Sequence, residues 1–236
     1  ACGIQSLDRD NQLKYCHQTS WGVSTRMIGG IIMTHGDDSG LVLPPAVAPI
    51  QVVIIPVQQH KEGVLDAAYA LRDRLAKICR VKVDDSENTP GWKFSEYEMK
   101  GVPLRIEIGP RDIAEGHCVV VRRDNREKTF VPLDALETSI PALLDTVTAA
   151  LYAKALENRE NRTFEAHTLD EMIETAKTKS GYIKAMWCGE LACEEKLKEV
   201  ADVSSRCMPF GAEPIGDKCV CCGKPATKLV YWGKAY

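Results

Sequence analysis

The amino-acid sequence predicts a protein of the α/β class that ends in a cysteine-rich segment. Strand-like apolar runs alternate with helix-like repeats between residues 49 and 158, and six cysteines lie between residues 188 and 222. Alternation of strands and helices is typical of a layered α/β domain. Apolar residues make up 44% and charged residues 27% of the 236 positions, and this balance argues against a disordered chain. The length fits one large domain or two to three small ones.

Residues 1–48 are expected to be one piece of a domain. The runs 4–7 and 13–16 flank turn-forming residues and predict two short strands. The apolar residues within Met27–Ile32 share one helical face and predict a helix, and Pro44-Pro45 ends the segment. Two strands and one helix bury too little apolar surface to form a core of their own.

Residues 49–158 carry the regular alternation. The unbroken apolar run 52–55 predicts a strand that is buried on both faces. A helix is predicted from apolar residues that recur every three or four positions, namely Val64, Ala68, Leu71, Leu75 and Ile78. Further strands are predicted at 81–83, 104–108, 118–121 and 129–131. A second helix is predicted at 136–151, and Pro141 is expected to restart it.

Residues 159–236 are expected to form a third part. The charged stretch 158–162 contains no apolar residue and marks the expected boundary. Thr168 and Glu171 fit a capping box that opens a short helix, and the cysteine cluster follows. The sequence thus predicts an incomplete N-terminal part, a central α/β domain and a small C-terminal domain.

The charge balance and the N-terminus limit the classes of partner and compartment. Lys and Arg number 30 and Asp and Glu number 33, which gives a net charge of −3, so bulk positive charge cannot drive binding to nucleic acid or to a membrane surface. The longest apolar run, 50–57, is too short to span a bilayer. The chain begins with Ala1 rather than Met, and its first residues lack a secretory signal pattern. We therefore expect a reducing compartment, the cytoplasm, and no membrane partner.

Paired cysteines near the C-terminus predict a zinc site. Four thiolates at such spacing suit a tetrahedral Zn²⁺ ion, and four protein ligands make the site structural because no coordination position stays open. The predicted ligands are Cys188, Cys193, Cys219 and Cys222. Cys221 is an alternative to Cys222, which is preferred because C-x-x-C-G is the commoner turn, and Cys207 is a spare ligand. The alternative interpretation is a set of ordinary reduced thiols.

Three other stretches carry weaker signals. Arg26 lies at a predicted strand-to-helix junction, where a guanidinium could contact phosphate, although a solvated side chain is the simpler interpretation. The stretch 35–40 could offer metal-binding carboxylates, but its Gly, Asp and Ser residues favour a surface turn. The stretch 91–112 offers charged groups that could read unpaired bases, with a solvated sheet edge as the alternative. The candidates there are Glu98, Lys100, Arg105, Arg111 and Asp112.

Taken in order, these stretches resemble the C-terminal part of the eukaryotic and archaeal type of prolyl-tRNA synthetase, a class II aminoacyl-tRNA synthetase. The segments 20–26 and 35–45 resemble class II motif 3 and its family-specific extension. The segments 91–94, 100–103 and 109–112 resemble the anticodon-binding domain. The cysteine pairs resemble the zinc-binding domain that follows in this family.

This resemblance implies a fold and an activity. The implied α/β fold has the tail of a class II catalytic domain in 1–48, a mixed-sheet α/β anticodon-binding domain in 49–158 and a small zinc-binding α/β domain in 159–236. The implied activity is the ATP-dependent attachment of L-proline to tRNA(Pro) by way of prolyl-adenylate. ATP with Mg²⁺ is then a substrate, and Zn²⁺ is a structural ion.

The resemblance also implies roles for single residues. Arg26 matches the motif 3 arginine that contacts ATP, and Ser24 lies near the nucleotide. Trp21 and Gly22 match residues that shape the substrate pocket. Tyr236 matches a C-terminal residue whose carboxylate folds back toward the active site. The positions that read the guanines of the proline anticodon are matched by Glu98, Arg105, Arg111 and Asp112.

One departure from the family pattern limits what the chain is expected to do alone. Class II motifs 1 and 2 precede this region in the family and are absent here, together with the main homodimer interface and most of the proline pocket. We therefore interpret the sequence as one segment of a larger enzyme that is inactive without the rest of the catalytic domain. The alternative hypothesis is a free-standing RNA-binding or regulatory module derived from the anticodon-binding domain.

Overall fold

The computed structural model of the chain describes residues 3–234. The chain divides into two compact units, residues 1–147 and 148–236. Both contain a mixed sheet with helices, so the predicted α/β class is confirmed. Among the described residues, no helix has the length and apolar character that crossing a membrane requires.

The first unit begins with small elements that are largely exposed. The elements are β1 (Gln5–Leu7), β2 (Leu13–Tyr15), α1 (Arg26–Thr34), β3 (Gly36–Asp37) and β4 (Gly40–Leu41). Strands β1 and β2 pair antiparallel, and so do β3 and β4. The predicted strands and the predicted helix are therefore present. Helix α1 has no buried residue, and the apolar side chains that define its predicted face, such as Met27 and Ile28, are exposed.

A five-stranded mixed sheet forms the centre of the first unit. Its strands are β5 (Val52–Pro56), β6 (Val81–Val83), β7 (Leu104–Ile108), β8 (His117–Arg122) and β9 (Lys128–Pro132). The order is β6-β5-β7-β8-β9, parallel from β6 to β7 and antiparallel from β7 to β9. Every residue of β5 is buried, as its unbroken apolar run predicts.

Four helices accompany this sheet. They are α2 (Val64–Leu75), α3 (Pro90–Met99), α4 (Pro110–Glu115) and α5 (Leu136–Asn161). Helix α2 buries four of the five residues on its predicted face, Val64, Ala68, Leu71 and Leu75. The prediction that Pro141 restarts the second long helix is wrong, since α5 runs through it without a break. A proline at that point removes one backbone hydrogen bond, while buried residues on either side, Ile140 and Leu144, still pack.

Helix α3 packs on one face of the sheet and was not predicted from the sequence. Its Tyr97 and the following Val102 form a buried cluster with Val53 and Ile55 of β5. The helix begins at a proline, and the preceding Thr89 side chain accepts a hydrogen bond from the Trp92 backbone at 3.4 Å. Such a threonine–proline start is a recognised N-terminal signal.

The second unit contains a four-stranded sheet and two further helices. Its elements are β10 (Thr163–Glu165), α6 (Leu169–Thr178), β11 (Tyr182–Trp187), α7 (Leu191–Ala201), β12 (Ser204–Cys207) and β13 (Lys228–Gly233). The strand order is β10-β11-β13-β12, with only β10 and β11 parallel. Met172, Leu197 and Trp232 lie at the centre of its core.

The predicted cap of α6 is present in a modified form. The Thr168 hydroxyl accepts a hydrogen bond from the Glu171 backbone N–H at 3.2 Å. The Glu171 carboxylate accepts from the His167 backbone N–H at 2.8 Å, one residue before the position that a capping box requires. The charged stretch 158–162, expected to be a boundary, lies mostly within the last turn of α5.

Candidate nucleic-acid interface and metal centre

Arg105 joins two carboxylates and an aromatic ring on the sheet face that α3 covers in part. Its Nη1 lies 3.0 Å from Glu98 Oε1 at the end of α3, and its Nε lies 3.0 Å from Glu107 Oε1 on the same strand. Its guanidinium carbon lies 4.1 Å from the centre of the Phe94 ring. The structure thus brings together Glu98 and Arg105, which the sequence indicated. It adds Glu107 and Phe94, which the sequence analysis did not identify as site residues.

This arrangement places hydrogen-bond donors beside acceptors. Arg105 is buried and presents N–H donors, while Glu98 and Glu107 present carboxylate oxygens. The edge of a guanine base carries the complementary set, an oxygen acceptor beside N–H donors. The side-chain period of two in a strand could have identified Glu107, because residues 105 and 107 must lie on one face.

Asp112 and Arg111 lie in the first turn of α4. Asp112 Oδ2 accepts a hydrogen bond from the Gly109 backbone N–H at 2.8 Å, so this carboxylate caps the helix. Its other oxygen, Oδ1, lies 3.5 Å from His117 Nε2. Arg111 is exposed. The described contacts therefore give Asp112 a structural role and do not join either residue to Arg105.

Lys100 pairs with a different carboxylate from the one that holds Arg105. Its Nζ lies 2.6 Å from Glu96 Oε1, one turn earlier on α3, and 5.6 Å from the centre of the Tyr97 ring. Burial, helped by the Asp84 carboxylate, raises the pKa of Tyr97 to about 12. Lys100 is thus near the candidate interface but outside the Arg105 cluster.

The segment 21–26 is exposed and lacks the strand that was expected before Arg26. Trp21 is 93% exposed. Residues 16–24 have no regular structure, and Arg26 is the first residue of α1. The Ser24 hydroxyl accepts a hydrogen bond from the Arg26 backbone N–H at 3.4 Å. The junction is therefore loop-to-helix, and the described residues do not enclose Trp21, Gly22 or Ser24 in a pocket.

The β3–β4 hairpin docks onto the end of α3 through a buried arginine. Both Nη atoms of Arg123 contact Asp37, at 2.8 and 2.6 Å, and its Nε donates to the Glu98 carbonyl at 2.9 Å. A Cβ at Gly40 would lie 2.5 Å from the Met99 backbone, so only glycine allows this approach. The Arg123 hydrogen bonds, partly opposed by burial, lower the pKa of Asp37 to about 2. The stretch 35–40 is thus a turn, as favoured above.

Four thiols of the second unit converge on one point. The Sγ atoms of Cys188, Cys193, Cys219 and Cys222 all lie within 4.8 Å of one another. Cys188 Sγ lies 3.7 Å from Cys193 Sγ and 3.8 Å from Cys222 Sγ. Sulfurs around a tetrahedral zinc ion, with Zn–S bonds of about 2.3 Å, are roughly 3.8 Å apart. The cluster could therefore hold a metal ion.

Local backbone geometry favours a negative charge on one sulfur of this cluster, that of Cys219. Gly223 has φ +70° and directs its N–H to the Cys219 carbonyl at 2.9 Å, which closes the turn. Burial raises the pKa of the Cys219 thiol, but backbone N–H groups of Cys222, Cys221 and Cys188 outweigh it and lower the pKa to about 7. A thiol that ionises readily is the form that binds metal.

The two spare cysteines lie elsewhere. Cys221 is partly buried and packs against the apolar clusters of the second unit instead of joining the thiol cluster. Cys207 is exposed at the end of β12. Tyr236, for which a role near the active site was expected, lies outside the described residues.

Comparison with known proteins shows that both units are similar to parts of one kind of enzyme. Residues 51–143 match the family model described as "Anticodon binding domain", and residues 169–236 match "Prolyl-tRNA synthetase, C-terminal". The chain is 64% identical over all 236 residues to the proline--tRNA ligase of Clostridium novyi and 60% identical to proline--tRNA ligase 2 of Bacillus cereus. It covers 49% and 50% of those proteins, so it spans about half the length of the curated relatives it matches.

A solved structure gives the same result. The crystal structure of prolyl-tRNA synthetase from Cryptosporidium parvum complexed with L-proline and AMP superposes with a TM-score of 0.87 at 40% identity. The match covers 99% of this chain and 50% of that protein. Over its whole length the chain is therefore similar to about half of each of these prolyl-tRNA synthetases, and its residues 169–236 match the C-terminal model of that family.

Proposed function

We propose that this chain serves the ATP-dependent attachment of L-proline to tRNA(Pro), and that its own part is to recognise the anticodon. The observation that carries the proposal is the cluster of Arg105, Glu98 and Glu107. It lies within the segment that matches the anticodon-binding model. The net charge of −3 is compatible with this role, because a few placed side chains can read unpaired bases without a basic field.

When guanine binds at this cluster, Arg105 and the carboxylates would exchange hydrogen bonds with each other for hydrogen bonds to the base, so no charged group would be left without a partner. In the free chain, Arg105 is neutralised by Glu98 and Glu107. A guanine that accepts from Arg105 through O6 and donates N–H groups to Glu98 would use the hydrogen-bonding capacity that this ion pair offers. Adenine lacks that pattern, so it would leave buried groups of this cluster without hydrogen-bond partners. Its binding would therefore be weaker than that of guanine. Arg111, Asp112 and Lys100 are proposed at the rim of the same interface.

The second proposed contribution is to the nucleotide site. The proline carboxylate attacks the α-phosphate of ATP and releases pyrophosphate, and the tRNA terminal hydroxyl then takes the prolyl group and releases AMP. A fixed cation at Arg26 would neutralise phosphate charge, with Ser24, Trp21 and Gly22 nearby. The relative from Cryptosporidium parvum, which binds L-proline and AMP, supports this assignment.

The activity is proposed for the complete enzyme. We propose that residues 1–48 are the C-terminal end of a catalytic domain, and that the exposed apolar face of α1 packs against the rest of that domain. The complete enzyme is then a cytoplasmic homodimer that uses ATP with Mg²⁺. The domain limits 49–158 and 159–236 are proposed for the two remaining domains.

The four clustered thiols are proposed as ligands of a structural Zn²⁺. The sulfur distances and the backbone donors around Cys219 support this assignment. Such an ion would tie the start of α7, through Cys188 and Cys193, to the turn at Cys219 and Cys222, and it would stabilise the second unit by this link.

The proposed function is tested by separating anticodon recognition from adenylation. In the complete enzyme, Arg105→Ala should weaken tRNA(Pro) binding about 10- to 100-fold, as expected for a bidentate base contact, with little change in proline-dependent ATP–pyrophosphate exchange. Arg72→Ala removes a cation from α2, where it pairs with Asp73, and serves as the control. Equal loss of tRNA binding and exchange in R105A would mean that Arg105 is only structural.

Exchange activity also distinguishes the two functional hypotheses. The isolated chain should show none, and addition of the N-terminal half of the synthetase should restore it. Failure of that addition, together with retained RNA binding, would favour the free-standing RNA-binding module.

A further inference from the structure

Phe130 is an exposed aromatic side chain on the same sheet face as the Arg105 cluster. Its side chain projects from β9 and is 69% exposed. The strand register aligns Glu107 with Val119 of β8 and Val119 with Phe130. Residues aligned in this way lie on one face of a sheet, so Glu107, Val119 and Phe130 form a row across it.

The ring of Phe130 is supported from one side. The His117 ring meets it edge-on, with centroids 5.3 Å apart and planes at 70°. His117 is itself held near Asp112 Oδ1, at 3.5 Å, and near Glu115 Oε2, at 3.6 Å. An exposed phenylalanine on a free surface has no such support, and a supported ring loses less conformational entropy when a flat ligand stacks on it.

The neighbours of Phe130 indicate the chemistry of that ligand. Strands are about 4.8 Å apart, so Phe130 stands roughly 10 Å from Glu107, with the smaller, half-buried Val119 between them. The gap is flanked by the cation of Arg105 in the next row and by the exposed Lys128 two residues along β9. This surface thus combines the apolar side chain of Val119, the ring of Phe130, the carboxylate of Glu107 and two cations. Such a combination suits a nucleobase with its phosphate.

We propose that Phe130 is a stacking platform for an unpaired base of the anticodon loop that flanks the base read by Arg105. This inference rests on the proposed function and adds a specific contact to it. Base–aromatic stacking is tolerant of base identity, so Phe130 contributes affinity and fixes the path of the loop, while Arg105 and the carboxylates select the guanine.

The test measures binding of the anticodon stem-loop of tRNA(Pro) to the chain and to single variants. Phe130→Leu should raise the Kd about 5- to 150-fold, which corresponds to the loss of one stacked base. Phe130→Tyr should bind within about twofold of wild type, because it keeps the ring. Tyr152→Leu removes a similarly exposed aromatic (70% exposed) from α5 and should not change the Kd.

A fluorescent base analogue locates the stacked position. With 2-aminopurine at successive positions of the loop, one position should be quenched on binding to wild type and to F130Y but not to F130L. Unchanged Kd and quenching in F130L would overturn this inference alone. Equal weakening in Y152L would also overturn it, because the effect would then not be specific to this sheet face. No binding by the wild-type chain would refute the proposed function and this inference together.

Discussion

The contact between Asp37 and Arg123 yields the most specific prediction of stability. The two residues are 86 positions apart in sequence and join the β3–β4 hairpin to the central domain. The Arg123 side chain is 2% exposed, whereas that of Asp37 is 38% exposed. Arg123 also donates to the Glu98 carbonyl, so the same side chain fixes the end of α3 that carries Glu98.

The expected magnitude follows from this unequal burial. Removal of one partner of a fully buried ion pair costs about 3–5 kcal/mol, while an exposed pair contributes about 0–1 kcal/mol. Asp37→Asn leaves a buried guanidinium without its counter-charge, but water reaches the partly exposed carboxamide and reduces the penalty. We expect this change to lower the free energy of unfolding by about 2 kcal/mol.

A double-mutant cycle of Asp37→Ala and Arg123→Met measures the pair itself. Denaturant unfolding of the four proteins should give a coupling energy above about 1 kcal/mol, and hydrogen exchange should accelerate at Val42 and Leu43, whose backbone N–H groups close the docked hairpin. The pair of Glu96 and half-exposed Lys100, four positions apart at the end of α3, is the control, with a coupling of about 0.3–0.5 kcal/mol. A coupling for Asp37 and Arg123 no larger than that of the control would refute this reasoning.

Two further predictions concern pH and metal. The pKa of Asp37 is lowered from 3.8 to about 2 by Arg123, so its contribution is complete above about pH 4 and is lost as the pH falls toward 2. The stability difference between wild type and D37N should therefore be constant from pH 5 to 8 and shrink below pH 4, and a difference undiminished at pH 2 would contradict the assignment. The purified chain should carry about one zinc ion, measured by elemental analysis. Cys222→Ser should lose that ion while Cys221→Ser retains it. Equal loss in both variants would contradict the assignment of Cys222, rather than Cys221, as the fourth ligand.

Elements with an unmixed apolar pattern could be predicted from the sequence. Strand β5 buries every residue of its apolar run and helix α2 buries four of the five residues that its pattern indicates, because a buried surface requires apolar side chains at the period of the backbone. The spacing of the cysteines likewise indicated three of the four thiols that meet, and it left Cys222, which was preferred, or Cys221 as the fourth.

Helix α3 could not be predicted in this way because its buried face contains a charged residue. Lys93 and Tyr97, four positions apart, are its buried side chains. The Lys93 ammonium is satisfied by Gln59 Oε1 at 3.0 Å and the Asp84 carbonyl at 2.8 Å. These partners lie 34 and 9 positions away in sequence. The residues around Lys93 therefore give no sign that this polar side chain is buried.

The sequence by itself determined the α/β class, the resemblance to the family and most of the chemically active residue types, since these depend on local periodicity and on short motifs. Only the tertiary structure decided which charged groups meet. It joined Arg105 to Glu98, Arg123 to Asp37, and Cys222 rather than Cys221 to the thiol cluster. It also placed Phe130 in the same row as Glu107. The physical reason is that strand register and helix docking set these distances through the packing of the whole unit, and no short segment contains that information.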